Sequence, residues 1–310
     1  MKIAAICCSG GLNIGNEFIN AGGLHLLRRF FPEAEIFRFE FFDSCLGEDF
    51  QYPSPPLTPS AMAFINDCDQ AFLFGGSILS IRTIEVLRQI SRLKVPVTLL
   101  GAGCWQFNQQ ETEVCREVAD LFPAIWTRDH VSLENFAGAA NARGGIDLAF
   151  FAGDALSLPR EPGGYAVINL DMIRQHRKEI DSQRKKLVRD YDDVFVTENT
   201  HTVYKDVPGY LFMSYWQTFY TLYANAAFVL TNRIHTSVVS LSNAVPFRYE
   251  GVDQGGKAGR NTLFGPMDFT LKQGTTYGPA EVAACRPKIQ AVKERFLQAF
   301  GDSLATCDAG

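Results

Sequence analysis

Residues 227–250, AFVLTNRIHTSVVSLSNAVPFRYE, decide the predicted fold of this chain. The apolar run Ala227–Leu230 predicts a buried strand, small and apolar residues at helical spacing follow Thr231, and Pro246–Glu250 predicts a second strand. A strand, a helix and a strand in this order form a parallel pair joined by a crossover helix. The stretch therefore indicates an α/β protein built on a parallel sheet.

Arg233 and His235 stand at the start of this predicted helix. A helix N-terminus carries partial positive charge, so an arginine there does not stabilise the helix and indicates a function. A guanidinium binds phosphate or carboxylate through paired hydrogen bonds, and an imidazole suits proton transfer near neutral pH. The alternative is a helix capped by Thr231 or Asn232 that contains a satisfied histidine, and we favour the functional interpretation.

The first half of the chain repeats one pattern: an apolar run, then a glycine-rich or polar turn, then apolar residues at helical spacing. The predicted strands are Lys2–Cys8, Ile36–Phe42, Gln70–Phe74, Val95–Leu100 and Ala124–Thr127. The predicted helices are Asn16–Phe31, Ser60–Asp67, Leu79–Leu93 and Gln109–Leu121, with a short helix opened by Ser132. This alternation predicts a parallel sheet covered by helices on both faces.

A segment rich in proline and glycine, around residues 159–164, separates this series from a second one. The second series has strands at Tyr165–Leu170, Val194–Thr197 and Tyr210–Met213, helices at Ile173–Asp190 and Trp216–Ala224, and then the stretch quoted above. We therefore predict two Rossmann-like domains, at residues 1–158 and 165–285, with parallel sheets that face a cleft. Residues 286–310 contain a predicted helix, Pro287–Phe300, that is expected to pack across the hinge.

The composition excludes several classes of protein. The 310-residue chain is 46% hydrophobic and 20% charged, so it can build packed cores and is not of a disordered type. Its net charge of -5 provides no basic field for a nucleic-acid backbone. The eight cysteines form no C-x-x-C pair and stand at no metal-ligand spacing, so we predict core thiols and no metal or cofactor. No apolar stretch reaches membrane-spanning length, which favours a soluble cytoplasmic protein.

Glycines follow three predicted strands of the first half. They are Gly15 with Asn16 beside it, Gly75 and Gly76, and Gly101 and Gly103. Turns of this kind expose backbone N–H groups that bind oxygen-rich ligands. Their spacing matches neither the dinucleotide nor the nucleoside triphosphate loop, and plain turns with close backbone packing are the alternative. Three such glycine turns, each directly after a strand, would lie at one edge of the sheet. They indicate a cleft there, because ligands bind at the carboxyl ends of parallel strands.

Other polar residues also follow predicted strands. Arg128 follows the fifth strand, with Asp129 beside it and Ser132 as the expected helix cap. Arg128 is a candidate for anion binding, and the alternative is an Arg128–Asp129 pair that only shapes the turn. Glu198 and His201 follow a strand of the second domain and are candidate acceptor-binding residues, with a plain polar loop as the alternative.

Taken in order, these residues resemble the motifs of the polysaccharide pyruvyl transferase family. The matching elements are Gly15-Asn16-Glu17, Gly75-Gly76, Gly101 with Gly103, Arg128-Asp129 with Ser132, Asp147, and Arg233-Ile234-His235. The last element is followed by a helix of small residues and by NAVPF at 243–247, where the family has a similar glycine–proline stretch. The family often has an aspartate and a third glycine where this chain has Asn16 and Ser77. The resemblance covers most of the chain.

The resemblance implies a fold of the glycosyltransferase-B type. It also implies a transferase that moves the enolpyruvyl unit of phosphoenolpyruvate onto a sugar, as a ketal, during synthesis of a cell-envelope polysaccharide. A lipid-linked acceptor would bring such an enzyme to the periphery of the membrane. No metal or cofactor is expected, and the partners would be the donor and a carbohydrate.

The resemblance also implies roles for individual residues. The donor would be bound by Arg128, Asn232, Arg233, Ile234 and His235. The catalytic residues would be Arg233 and His235, with His235 as the general acid. The general base stays open between Asp147, Glu198 and His201.

Two other classes of function stay open at the level of sequence. A nucleotide-sugar glycosyltransferase uses the same architecture and also binds an anion at a helix start in its second domain. A glycan- or ligand-binding protein without catalytic activity is the other alternative. Release of phosphate from phosphoenolpyruvate, release of nucleotide from a sugar donor, or neither, would distinguish the three.

Overall fold

The computed structural model describes residues 1–8, 13–41, 57–156, 161–171, 173–198, 204–213, 215–251 and 258–307. It contains two sheets in which strands alternate with helices along the chain. The strands of the first sheet come from residues 2–144, and those of the second sheet come from residues 165–277. The predicted α/β class with two Rossmann-like sheets is confirmed, while the domain limits 1–158, 165–285 and 286–310 stay predictions.

The first sheet is parallel throughout and has the order β2-β1-β3-β4-β5-β6. Its strands are β1 (Lys2–Cys8), β2 (Glu35–Phe41), β3 (Gln70–Phe74), β4 (Val97–Ala102), β5 (Ala124–Thr127) and β6 (Ala142–Gly144). Its helices are α1 (Ile14–Phe30), α2 (Pro59–Asn66), α3 (Ile84–Ile90), α4 (Gln109–Leu121) and α5 (His130–Glu134). Six consecutive residues of β1 are buried, as expected for a strand between two neighbours with helices on both faces.

The second sheet has the order β11-β10-β9-β7-β8, and only the edge strand β11 is antiparallel. Its strands are β7 (Tyr165–Asn169), β8 (Asp193–Thr197), β9 (Phe228–Thr231), β10 (Phe247–Tyr249) and β11 (Thr275–Tyr277). Its helices are α6 (Arg177–Leu187), α7 (Trp216–Ala224), α8 (Ile234–Ser242) and α9 (Pro279–Cys307). Residues 227–250 form β9, α8 and β10, with β9 and β10 parallel, as the sequence pattern predicts.

One apolar cluster connects the two sheets. It contains buried side chains of α1, α7, α8 and α9 and of a 3-10 helix at Leu148–Ala155, which we call the hinge helix. Phe18 of α1 meets Tyr220 of α7 edge to face, with ring centroids 5.8 Å apart. At Gly22 of α1 a side chain would overlap the backbone carbonyl of Leu148, so only glycine permits this close approach. The two sheets therefore share a packed core behind the cleft.

The long helix α9 packs against both halves of the molecule. Its Phe296 and Phe300 rings stack on each other, and both lie edge-on to Trp126 of β5 at 5.5 Å. Its first half faces α8 and the hinge helix. The predicted start at Pro287 is wrong, because the helix begins at Pro279. Apolar residues at helical spacing are buried on both sides of Pro287, and this burial offsets the hydrogen bond that the proline removes.

Three other predicted elements are shorter in the structure. The helix expected at Leu79–Leu93 begins only at Ile84, because the Thr83 hydroxyl bonds to the carbonyl groups of Ile78 and Ser80 and holds the preceding turn. The strand expected at Tyr210–Met213 is a single bridge between Tyr210 and Val196. The charged helix expected at Ile173–Asp190 extends over 177–187. Within the described ranges, no helix is long and apolar enough to cross a bilayer.

Candidate active site

The strand orders place a crevice at the centre of each sheet. The chain crosses β1 on its way from β2 to β3, and it crosses β7 on its way from β8 to β9. Open parallel sheets bind ligands outside the carboxyl ends of their strands at such reversals. The segments that leave β1, β7 and β9 lead to Asn13, Asp171 and Arg233. Arg233 contacts both Asn13 and Asp171, so the crevices of the two sheets meet in one cleft.

Arg233 connects the two halves of the cleft. Its Nη2 donates a hydrogen bond to Oδ1 of Asn13 at 2.8 Å, and its Nη1 forms an ion pair with Asp171. Asn13 is the N-cap of α1, and the same oxygen accepts from the Gly15 N–H at 3.0 Å. The Arg233 side chain is 19% exposed, so a small ligand can reach the guanidinium.

The start of α8 differs from the prediction in its capping. Arg233 occupies the N-cap position itself, and no side chain among the described residues caps α8. The two predicted caps are used elsewhere, because Thr231 Oγ1 accepts from the Arg233 N–H at 2.9 Å and Asn232 Oδ1 accepts from the Asp171 N–H at 3.0 Å. The first-turn N–H groups, including that of Ile234, are thus left for an anion in the cleft.

His235 faces Asp147, a residue that belongs to the other half of the chain. The imidazole Nε2 is 3.7 Å from Oδ2 of Asp147, and both atoms are buried without a hydrogen-bond partner among the described residues. The second oxygen of Asp147 accepts from the Ala149 N–H at 2.9 Å and caps the hinge helix. A small movement of the imidazole would bring the pair to hydrogen-bond distance.

The Asp147 carboxyl is ionised despite complete burial. Burial by itself raises the pKa of this carboxyl, but the neighbouring His235, the charge of Arg128 and the Ala149 N–H outweigh burial and hold the pKa below its ordinary value. Asp147, His235 and Arg128 therefore form one charge cluster. Its members lie after the ends of β6, β9 and β5, respectively.

Gly15 holds the opposite edge of the imidazole. A Cβ at this position would overlap Nδ1 of His235, so only glycine lets the start of α1 pack against the ring. Asn16 lies in the same turn, and its N–H donates to the carbonyl oxygen of Asn13 at 2.9 Å. Asn13 caps α1, and Asn16 lies within the first turn, because the helix begins at Ile14.

Arg128 is buried against the exit of β4. Its Nη2 donates to the carbonyl oxygen of Cys104 at 3.0 Å, and its Nε donates to Asp129 at 3.3 Å. A Cβ at Gly103 would overlap the Arg128 side chain, so this glycine makes room for the guanidinium. Arg128 therefore pairs with Asp129, as the turn-shaping alternative requires, and its charge also reaches Asp147.

Ser132 does not cap the helix that follows Arg128. Asp129 is the N-cap of α5, and its Oδ1 accepts from the Ser132 N–H at 2.7 Å. The Ser132 hydroxyl is 3.1 Å from the second oxygen of Asp129 and accepts from the Cys104 N–H at 3.0 Å. The aspartate lies one residue before the helix, where a capping side chain must lie, and Ser132 instead ties α5 to the exit of β4.

The other predicted cleft glycines serve close packing. A Cβ at Gly75 would come within 2.6 Å of the backbone of Ala102 and Gly101. Gly101 has φ +76 and packs on Leu148, and a Cβ at Gly76 would lie 3.3 Å from Ile19. The contacts of Gly75, Gly76 and Gly101 fit the alternative of close backbone packing. These glycines lie against neighbouring strands and helices, not against the charge cluster of Asp147, His235 and Arg128.

Of the two candidate acceptor-binding residues, only Glu198 lies in the described part of the chain. Glu198 is buried at the exit of β8, and its Oε1 accepts from the Ile173 N–H at 3.3 Å. It thereby holds the segment that also carries Asp171. His201 lies outside the described residues. A role for either residue in acceptor binding stays a prediction.

Asn13 and Asp171 belong to the cleft although no sequence motif indicates them. Asn13 has a usable signal, because asparagine is a preferred N-cap and stands just before the glycine turn at Gly15. Asp171 has no such signal, since a single aspartate after a strand is also typical of an ordinary loop. Among the described residues, no three histidine, cysteine or carboxylate side chains are grouped to hold a metal ion.

Three solved structures with a similar fold are described as UDP-N-acetylglucosamine 2-epimerases, one of them as putative. A UDP-N-acetylglucosamine 2-epimerase has a TM-score of 0.57 at 12% identity, over 97% of this chain and 96% of its own. A putative UDP-N-acetylglucosamine 2-epimerase from Listeria monocytogenes has a TM-score of 0.56 at 11% identity, over 96% of this chain and 90% of its own. The enzyme from Neisseria meningitidis, bound to UDP-GlcNAc, has a TM-score of 0.53 at 12% identity, over 96% and 94%. At these identities the likeness shows the fold alone.

The fold is a two-domain α/β fold of the glycosyltransferase-B type. No curated protein sequence matches the chain. The model of the polysaccharide pyruvyl transferase family matches residues 13–253, a range that contains every described residue of the cleft. The chain belongs to this family, as its motifs indicate, and the activity of the family implies a carbohydrate acceptor.

Proposed function

We propose that the cleft transfers the enolpyruvyl unit of phosphoenolpyruvate to a sugar of a polysaccharide or its precursor and forms a ketal. One observation carries this proposal. Arg128, Asp147 and the start of α8, with Arg233 and His235, come from three separate segments, and all of them follow the carboxyl ends of parallel strands and meet in the cleft. Two guanidinium groups and an imidazole beside a buried carboxylate suit an anionic donor that must also be protonated.

The charges of the cleft favour an anion only when its helix starts are included. The charges of Arg128 and Arg233 are more than offset by Asp129, which pairs with Arg128, by Asp171, which pairs with Arg233, and by Asp147. The donor carries a carboxylate and a phosphate of about −1.5 to −2 charges. The N-termini of α1 and α8 each contribute about +0.5 charge, and an imidazolium at His235 adds another positive charge. Donor binding therefore competes with Asp171 for Arg233.

The chemistry assigned to these residues is a balanced transfer. His235 gives a proton to the methylene carbon of the donor as the general acid, which makes a methyl group and leaves a cation at the second carbon. One sugar hydroxyl then bonds to the second carbon and loses its proton to a base. The bond from this carbon to the phosphate oxygen breaks, a neighbouring hydroxyl bonds to the same carbon, and the proton of this second hydroxyl leaves with inorganic phosphate. Asp147 holds the imidazole and is a candidate for the base, together with Glu198 and His201.

The test is the release of phosphate from phosphoenolpyruvate in the presence of sugar acceptors. We expect His235→Ala and Arg233→Ala to lower this release by at least about a hundredfold, because each removes a group that acts on the donor itself. His176→Ala and Arg174→Ala are the matched controls in the same half of the chain, since both side chains lie outside the cleft. Circular dichroism establishes that all four variants are folded.

Two outcomes would contradict the proposal. Full phosphate release by either cleft variant would refute the assignment of residues. Release of nucleotide from a nucleotide sugar, without any release of phosphate from phosphoenolpyruvate, would refute the donor and would favour the glycosyltransferase alternative.

A further inference from the structure

A second cavity lies at the C-terminal end of α8, whereas the cleft residues lie at its start. It has a volume of about 210 Å³ and is enclosed by the end of the hinge helix, the ends of α7 and α8, and the first half of α9. His235 and Ser242 stand at opposite ends of α8, about 10 Å apart at a rise of 1.5 Å per residue. The cavity is therefore separate from the cleft.

The walls combine polar groups with apolar surface. Ser242 Oγ is buried and has no hydrogen-bond partner among the described residues. Arg286 lies at the outer rim and makes no hydrogen bond or ion pair within the described part of the chain. The amide nitrogen of Gln290 donates to Glu294 at 2.8 Å, which leaves its carbonyl oxygen to accept. Phe150 and Tyr220 supply apolar wall surface.

The charges of this cavity nearly cancel. The buried Lys293 pairs with Asp154 at 2.5 Å, so these two groups offset each other. The remaining charge of Arg286 faces the C-terminal ends of α7 and α8, each of which contributes about −0.5 charge. The sum is close to zero, so neither an anion nor a cation is favoured. A neutral ligand with both donors and acceptors fits these groups best.

The size of the cavity limits the ligand further. A volume of about 210 Å³ is below the range of about 300–1,000 Å³ for pockets that take drug-sized ligands, so the cavity favours a single small ring over a nucleotide or an oligosaccharide. We propose that the cavity is a second binding site, for one uncharged sugar residue, held by Ser242, Arg286 and Gln290 and packed on Phe150 and Tyr220.

The proposal is tested by the binding of single sugars to the full chain, without phosphoenolpyruvate. We expect at least one of glucose, galactose, mannose and N-acetylglucosamine to bind in saturation-transfer NMR. In the double variant Arg286→Ala/Gln290→Ala, we expect the Kd for that sugar to rise at least tenfold. Thr221→Phe, which fills the cavity from its rim, should have the same effect through a different contact.

Two control variants decide where the sugar binds. Lys288→Ala removes a side chain of α9 that pairs with the exposed Asp268 outside the cavity, and it should leave the Kd unchanged. His235→Ala should also leave the Kd unchanged, because it alters only the cleft. His235→Ala is expected to abolish the transfer reaction but not sugar binding in the cavity. The two proposals can therefore fail independently of each other.

Three results would overturn the second site. The first is the absence of binding for all four sugars. The second is binding that is lost in His235→Ala and kept in the double variant, which would place the sugar in the cleft. The third is binding of inorganic phosphate, in place of the sugars, that depends on Arg286, which would make the cavity an anion site. Because sugars at high concentration stabilise most proteins by exclusion from their surface, thermal shifts alone do not decide the question.

Discussion

At the scale of single residues, the cleft depends on a carboxylate that has no access to water. Asp147 is 1% exposed, and its neighbours hold its pKa below the ordinary value of 3.8. A carboxyl whose pKa is lower in the folded than in the unfolded chain stabilises the fold above the unfolded value. That contribution is lost as the pH falls through the folded pKa. The charge of Asp147 therefore adds to stability at neutral pH and adds nothing in strong acid.

Asp147→Asn keeps the shape of the side chain and removes the charge. At pH 7 we expect the variant to unfold with a free energy about 3 kcal/mol lower than the wild type, near the cost of breaking a buried charge pair. The difference should shrink as the pH is lowered from about 5 to below the folded pKa, because the unfolded carboxyl takes up a proton near its ordinary pKa of about 3.9 and the folded carboxyl does so only at lower pH. Urea denaturation at several pH values measures this, with Asp268→Asn on the surface as the control. A difference that is constant across this pH range would contradict the ionised state of Asp147.

Asp171 forms an ion pair with Arg233, so under the proposed function it competes with the donor for this guanidinium. Asp171→Asn removes a negative charge next to the guanidinium and keeps a polar side chain of the same size. We expect the KM for phosphoenolpyruvate to fall by about three- to tenfold, which corresponds to roughly 0.7–1.4 kcal/mol. Steady-state kinetics at fixed acceptor concentration measure this change. A higher KM would show instead that Asp171 holds Arg233 in its donor-binding position.

At the scale of elements, two helix starts from different halves of the chain meet in the cleft. Gly15 in the first turn of α1 touches the imidazole of His235 in the first turn of α8. Backbone N–H groups of both helices thus converge beside the charged cluster. Neither helix places its groups correctly unless the other is docked, so the packing of α1 on α8 controls the geometry of the site.

Gly15→Ala tests this contact. Alanine has a higher helix propensity than glycine by about 1 kcal/mol, so α1 itself should not be weakened. The added Cβ displaces the imidazole, and we expect kcat to fall by at least about tenfold with little change in Tm. In the background His235→Ala, the same substitution should cause no further loss, because the ring that it displaces is gone. An equal loss in both backgrounds would contradict the proposed contact.

At the scale of the whole molecule, α9 and the hinge helix join the two sheets. Phe296 of α9 packs on Trp126 of the first sheet and on Phe151 of the hinge helix, while the first half of α9 lies against α8. The cleft lies between the two sheets, so the distance between its two sides depends on this shared core. Substitutions far from the cleft are therefore expected to alter it.

Phe296→Ala tests the role of α9 in joining the sheets. Removal of a buried aromatic ring typically costs about 3–5 kcal/mol, and we expect a loss of this size in urea denaturation. Phe64→Ala is the control, because that ring lies on α2 and is 41% exposed, and it should cost less than 2 kcal/mol. A loss at Phe296 no larger than the loss at Phe64 would show that α9 does not hold the sheets together.

Much of the candidate site was predictable from sequence, and the rest depended on the packing of the domains. Arg128, Arg233 and His235 stand where parallel strands end, and that position follows from local patterns of apolar and polar residues. The capping residues were predicted less well, because Thr231, Asn232 and Ser132 are all good caps and only the backbone decides which oxygen reaches which N–H. Asp171 was not predictable at all, since its partner Arg233 is 62 residues away.

The sequence by itself determined the β9–α8–β10 unit and the parallel class of both sheets, because the period of apolar residues is a local property that acts within each element. Only the tertiary structure decided which side chains meet. Arg233 bonds to Asn13 across 220 residues, and Gly15 fits the ring of His235, because α1 packs against α7, α8 and the hinge helix in one shared core. Such contacts depend on how elements dock, and no spacing along the chain encodes that.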